Sequence, residues 1–92
     1  MKQELIKRLQ KWYSLNCNGD WEHSYGINIS TLDNPGWNVE IDLVDTALQS
    51  LRYERVEQNT DLDWLVIKVN DQIFKASGDM NKLDKILSIF LN

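Results

Sequence analysis

Apolar residues recur along this chain in two rhythms, and the changes of rhythm mark its elements. Near the N-terminus Leu5, Ile6, Leu9, Trp12 and Tyr13 lie on one stripe of a 3.6-residue period, with Lys7, Arg8 and Lys11 largely outside it. The stripe stops at Asn16-Cys17-Asn18-Gly19-Asp20, a run of residues that break helices and favour turns. Leu83, Ile86, Leu87, Phe90 and Leu91 repeat the helical spacing at the other end, with Asp79 or Asn81 as the N-cap. Each helix therefore has one apolar stripe to lay on something.

Between the helices the period is two. Tyr25, Ile27, Ile29 and Thr31 alternate with Gly26, Asn28 and Ser30, and Trp37, Val39, Ile41 and Leu43 alternate with Asn38, Glu40 and Asp42. Asp33-Asn34-Pro35-Gly36 between them is a turn signal, since proline presets φ and glycine tolerates φ > 0. A slip of one residue would put Ile29 against Glu40, so Thr31 is expected opposite Trp37, Ile29 opposite Val39, Ile27 opposite Ile41 and Tyr25 opposite Leu43. That leaves a loop from Leu32 to Gly36. Tyr53–Gln58, Trp64–Asn70 and Gln72–Ser77 read as three more strands, the last two joined by a turn at Asn70-Asp71 with Val69 opposite Gln72. Tyr53–Gln58 is charged on both sides, which suits a sheet edge. The expected fold is α+β: an antiparallel five-stranded sheet with an N-terminal and a C-terminal helix packed on one face.

Length and composition narrow the class. Ninety-two residues, 42% hydrophobic and 26% charged, are expected to form a single domain over 1–92. One cysteine, Cys17, excludes an internal disulfide framework and a cysteine-rich metal site. No apolar run approaches the roughly 18 residues of a membrane span, and no signal-peptide core opens the chain, so a cytoplasmic location and no membrane partner are expected. A net charge of −4 argues against nucleic acid as a partner. The charge is also uneven. From Gly19 to Asp63 ten acids face only Arg52 and Arg55, a net −8, and the two ends are positive. Such self-repulsion is more easily understood if a basic partner relieves it.

Few residues offer chemistry. His23 lies near Cys17, Asp20 and Glu22, but one histidine leaves only carboxylates to complete a zinc site, and neither metal nor cofactor is expected. Cys17 as a nucleophile with His23 as its base is the enzymatic alternative, for instance in sulfur or acyl transfer. No glycine-rich phosphate loop or hydrolase motif occurs. Of four tryptophans, Trp12 and Trp37 fall on apolar stripes, and Trp64 falls on the face opposite Leu65, Ile67 and Val69. Trp21 has two readings: an exposed binding anchor ringed by Asp20 and Glu22, or a lid over the edge of the core. Glu40 and Asp42, two apart on one strand, both point to the polar face of the sheet, opposite Asn28 and Gly26.

Trp12-Tyr13, Cys17-Asn18-Gly19-Asp20-Trp21-Glu22-His23-Ser24-Tyr25-Gly26, Thr31-Leu32-Asp33-Asn34-Pro35-Gly36-Trp37, Ile41-Asp42-Leu43 and Thr46 together resemble the immunity protein 53 family of bacterial toxin–immunity systems. The match is dense from Trp12 to about Thr46 and looser from Leu51 onward. The resemblance implies a single-domain, non-enzymatic protein that neutralises a cognate polymorphic toxin in the producing cell. Charge adds a basic target such as a nuclease domain. The toxin-binding residues expected on these grounds are Asp20, Trp21, Glu22, Asp33, Glu40 and Asp42, with Trp21 as apolar anchor and the carboxylates pairing with toxin Lys and Arg. The oligomeric state is left open.

Overall fold

The computed structural model describes residues 2–92. Its elements run α1 (Lys2–Asn16), α2 (Trp21–Ser24), β1 (Ile27–Leu32), β2 (Gly36–Asp42), β3 (Tyr53–Thr60), β4 (Asp63–Asn70), β5 (Ile73–Gly78) and α3 (Leu83–Leu91). All five strands pair antiparallel in one sheet of order β1-β2-β5-β4-β3, so the last hairpin inserts its β5 beside β2. The α+β architecture is the expected one, and β3 is an edge, as its charged sequence implied.

One sheet face is buried. Val39, Ile41, Leu43, Leu65, Ile67, Val69, Phe74 and Ala76 alternate along their strands and meet Leu9 of α1 and Ile86, Leu87 and Phe90 of α3. Aromatic edges join the layers: Trp12 meets Phe90 at 5.0 Å between ring centroids, and Phe90 meets Phe74 at 5.1 Å. Arg8 donates to the carbonyl of Leu91 at 2.7 Å, a cation at the C-terminal end of α3. Only part of the α1 stripe is covered: Leu9 is buried, whereas Ile6 and Tyr13 lie exposed at its rim.

The first hairpin has the expected register, with Thr31 opposite Trp37, Ile29 opposite Val39 and Ile27 opposite Ile41. Its loop is shorter than expected, because Leu32 also pairs with Gly36 and only Asp33, Asn34 and Pro35 turn the chain. Tyr25 falls outside β1, since α2 occupies the preceding residues. Gly36 is not needed for a positive φ. A Cβ there would collide with the carbonyl oxygen of Gly78 on β5, so glycine permits the close approach of two strands.

The second hairpin corrects the expected pairing by two residues. Val69 faces Phe74 rather than Gln72, and the turn is Asp71-Gln72 rather than Asn70-Asp71. Both turn residues take positive φ, 51° and 65°, the geometry of a two-residue hairpin turn. A shift of two keeps every side chain on its face, so the alternation could not exclude it.

α3 is joined to the sheet by an ion network centred on one buried carboxylate. Its N-cap position is Lys82, with no side-chain cap, rather than Asp79 or Asn81. Asp79, only 4% exposed, accepts from the Trp64 N–H at 2.9 Å, the Asn81 N–H at 2.8 Å and the Lys82 Nζ at 2.7 Å. Lys82 also reaches Asp63 at 2.7 Å. Burial alone would raise the Asp79 carboxyl, but Lys82 and the two backbone N–H groups outweigh it and hold its pKa at about 2, against an ordinary 3.8. A depressed carboxylate stabilises the fold above its unfolded pKa, and that contribution is lost as pH falls through the folded value. Asp79→Asn is therefore expected to lower unfolding free energy by about 2 kcal/mol at pH 7. Urea titrations of both proteins should show that difference shrinking from pH 4 toward pH 2.

Candidate protein-docking site

The segment before β1 is built by reciprocal capping. α1 ends where Cys17 N–H returns to the Tyr13 carbonyl at 3.2 Å, and Gly19 then takes a φ of +96°. Asn18 Oδ1 accepts from the N–H groups of Asp20 and Trp21, both at 2.9 Å. Glu22 reaches back to the N–H groups of Asn18 and Gly19, also at 2.9 Å. This is the logic of a capping box. Backbone N–H groups, its own first and then those of Asn18 and Gly19, hold the Glu22 carboxyl below the usual range. Both oxygens of Glu22 thus serve the fold.

Trp21 is the main correction to the expected site. It is 3% exposed, not a surface anchor. Its Nε1 donates to the Val44 carbonyl at 2.8 Å, and its ring lies 6.0 Å from those of Trp12 and Tyr13. The indole thus pins α2 against α1 and the loop that follows β2. Asp20 beside it is exposed at the start of α2, and Asp33 is exposed in the turn after β1. β1 separates these two by about 20 Å of extended chain.

Glu40 and Asp42 are the pair that the structure brings together. Both project from β2 on the face away from the helices, Glu40 opposite Asn28. Asp42 accepts from the Gly26 N–H at 3.0 Å, and Gly26 returns its carbonyl to the Asp42 N–H at 3.1 Å. Gly26, Ile27, Asn28, Glu40 and Asp42 line a shallow concavity of about 290 Å³. Among the described residues, Asp20, Asp33 and Glu40 enter no ion pair.

Strand order changes the charge seen across this face. Beyond Glu40 the cross-strand row continues through Lys75, Lys68 and Glu54. Two lysines directly opposite repel each other, and the flanking acids offset that. The carboxylates are therefore diluted by base toward β4 and undiluted toward β1. Sequence reading missed this because the pairing of β5 with β2 is non-local. Asp61 and Asp63, in the same acidic stretch of the chain, lie at the tip of the β3–β4 hairpin, where Asp61 shares a concavity with Asn34 and Pro35 of the first turn, and Asp63 is already bound to Lys82.

The enzymatic alternative turns on Cys17 and His23. The Cys17 thiol donates to the Tyr13 carbonyl at 3.3 Å, and His23 lies exposed on α2. Among the described residues no group of three or more His, Cys, Asp and Glu side chains is arranged to hold a metal ion. No described helix is long and apolar enough to cross a membrane.

These roles separate by stability. Trp21→Ala is expected to cost about 3–5 kcal/mol in a urea titration, as for other buried tryptophans. Trp21→Phe should cost about 1–2 kcal/mol, because it leaves the Val44 carbonyl unpaired. An exposed anchor would leave the unfolding midpoint unchanged.

Comparison with curated proteins and with solved structures found no match. Comparison with family models did. Residues 6–92 match the model of immunity protein 53. The match spans the two motif-rich strings that build α2 and the first hairpin, and continues through the β3–β4–β5 region to the last helix. The chain belongs to the immunity protein 53 family.

Proposed function

We propose that this chain binds and neutralises a cognate toxin domain in the cytoplasm of the producing cell, without enzymatic chemistry, through the acidic side of its first hairpin. Family membership supports the immunity role. The arrangement of Glu40 and Asp42 carries the choice of surface: two carboxylates on one face, next to a glycine and a short amide, at the concavity beside the sheet edge. Asp33 and Asp20 extend the negative field to the two ends of β1. Glu22 and Trp21 contribute by shaping α2, not by contact.

A field of this kind suits a basic target. Complementary charge speeds encounter and excludes wrong partners more than it adds raw affinity. A nuclease domain, whose groove must attract phosphates, is the toxin class that fits. The carboxylates would then occupy positions that substrate phosphates take, and the toxin would be blocked by occlusion.

Reversal of charge tests the surface. The Glu40→Lys/Asp42→Lys double variant is expected to lose protection against the toxin encoded beside its gene and to bind it at least about a hundredfold more weakly. Circular dichroism should show the same fold, with the thermal midpoint lowered by the lost Gly26–Asp42 bond and the third lysine beside Lys75. Unchanged protection would exclude this surface while leaving the immunity role in place.

A further inference from the structure

The sheet has two edges, and only one is defended. Exposed edges are commonly blunted by charge, proline or a bulge, because their open N–H and C=O groups invite another strand. β3 carries Glu54, Arg55 and Glu57, with a register shift between Gln58 and Thr60. β1 reads Ile-Asn-Ile-Ser-Thr-Leu, with no charge, no proline and an unbroken register. The Gly26–Asp42 bond fixes which of its groups are open. Residues alternate in an antiparallel ladder, so Asn28, Ser30 and Leu32 bond to β2. The N–H and C=O groups of Ile27, Ile29 and Thr31 therefore point away from the sheet.

The two sides of this edge differ in chemistry. On the helix side Ile29 is 39% exposed, and a concavity of about 350 Å³ lies between Leu9, Gln10 and Tyr13 of α1 and Gly26 and Ile27. On the other side Glu40 and Asp42 stand one strand in, behind Asn28 and Gly26. A short side chain and a missing one leave the step of about 4.8 Å between strands open to a long basic side chain. No Lys or Arg occurs from Trp12 to Leu51, whereas Asp20, Glu22, Asp33, Glu40, Asp42 and Asp45 do. A second copy would set these acids against themselves, and a basic segment would complement them.

We propose that the toxin docks by adding an extended segment to β1, with alternate side chains apolar toward α1 and Lys or Arg toward Glu40 and Asp42. This rests on the immunity reading and specifies its binding mode. Main-chain bonds to Ile27, Ile29 and Thr31 supply affinity, and the two chemically distinct sides set register and choice of partner.

Amide hydrogen exchange followed by NMR tests it, on the chain alone and mixed with the toxin domain encoded beside its gene. The amides of Ile27, Ile29 and Thr31 are expected to exchange fast in the free chain and to slow by about a hundredfold or more in the complex. Thr31→Pro removes an outward N–H at an edge position, where sheets admit proline, and should weaken binding by about tenfold or more, whereas Thr31→Ser should bind normally. Binding that leaves these three amides fast, for instance by docking on the exposed Val56 and Val66 of the outer face, overturns strand addition and leaves the immunity role standing. Protection that appears in the free chain and grows with its concentration gives the edge to a second copy and also overturns it. No binding of the toxin at all removes both readings.

Discussion

The whole arrangement depends on a sheet that buries one face and leaves the other to solvent. Helices α1 and α3 both lie on the side of Val39, Ile41, Ile67 and Phe74, so the three central strands, β2, β5 and β4, carry their core residues at every second position. Alternation at period two then places Glu40 and Asp42 outward without any further instruction. It also leaves both ends of the sheet uncovered, because two helices of 15 and nine residues cannot wrap five strands. The proposed docking surface is thus the remainder of the folding solution, the side and the edge that the core does not use.

Charge along the chain and charge in space are different quantities here. The acidic stretch runs through α2, the first hairpin and β3 to the first residue of β4. The sheet order divides it. β5 brings Lys75 beside Glu40, and Lys82 at the start of α3 claims Asp63 and Asp79. Glu57 is bound by Arg55 and Lys85. What stays without base of its own is the first hairpin with its flanks, where the chain has no Lys or Arg for forty consecutive residues, 12–51. Acids that the fold neutralises hold elements together, and acids that it leaves alone are available to a partner.

Local and pairwise patterns were readable, and contacts made across the topology were not. The β1–β2 register followed from one rule, that a single-residue slip would bury Glu40. The same rule was blind to a two-residue shift in the β4–β5 hairpin, where the choice fell to positive φ at Asp71 and Gln72, and glutamine carries no turn signature. Trp21 sits on a helix of four residues, too short to show a period, and its partner Val44 lies 23 positions away. Its burial could not be read from neighbours that are all polar. The motif that carries the family resemblance proved to be mostly architecture: Asn18, Glu22 and Trp21 shape α2, and Gly36 lets β2 approach β5.

The proposed binding through an acidic edge would make encounter electrostatic, and that is open to direct measurement. The association rate of the chain with the toxin domain encoded beside its gene, followed by stopped-flow tryptophan fluorescence across ionic strength, reports the field that guides the two together. Steered association is expected to fall by about tenfold or more as salt rises from 20 to 500 mM, with dissociation changing far less. An association rate that stays flat over that range would contradict the central claim.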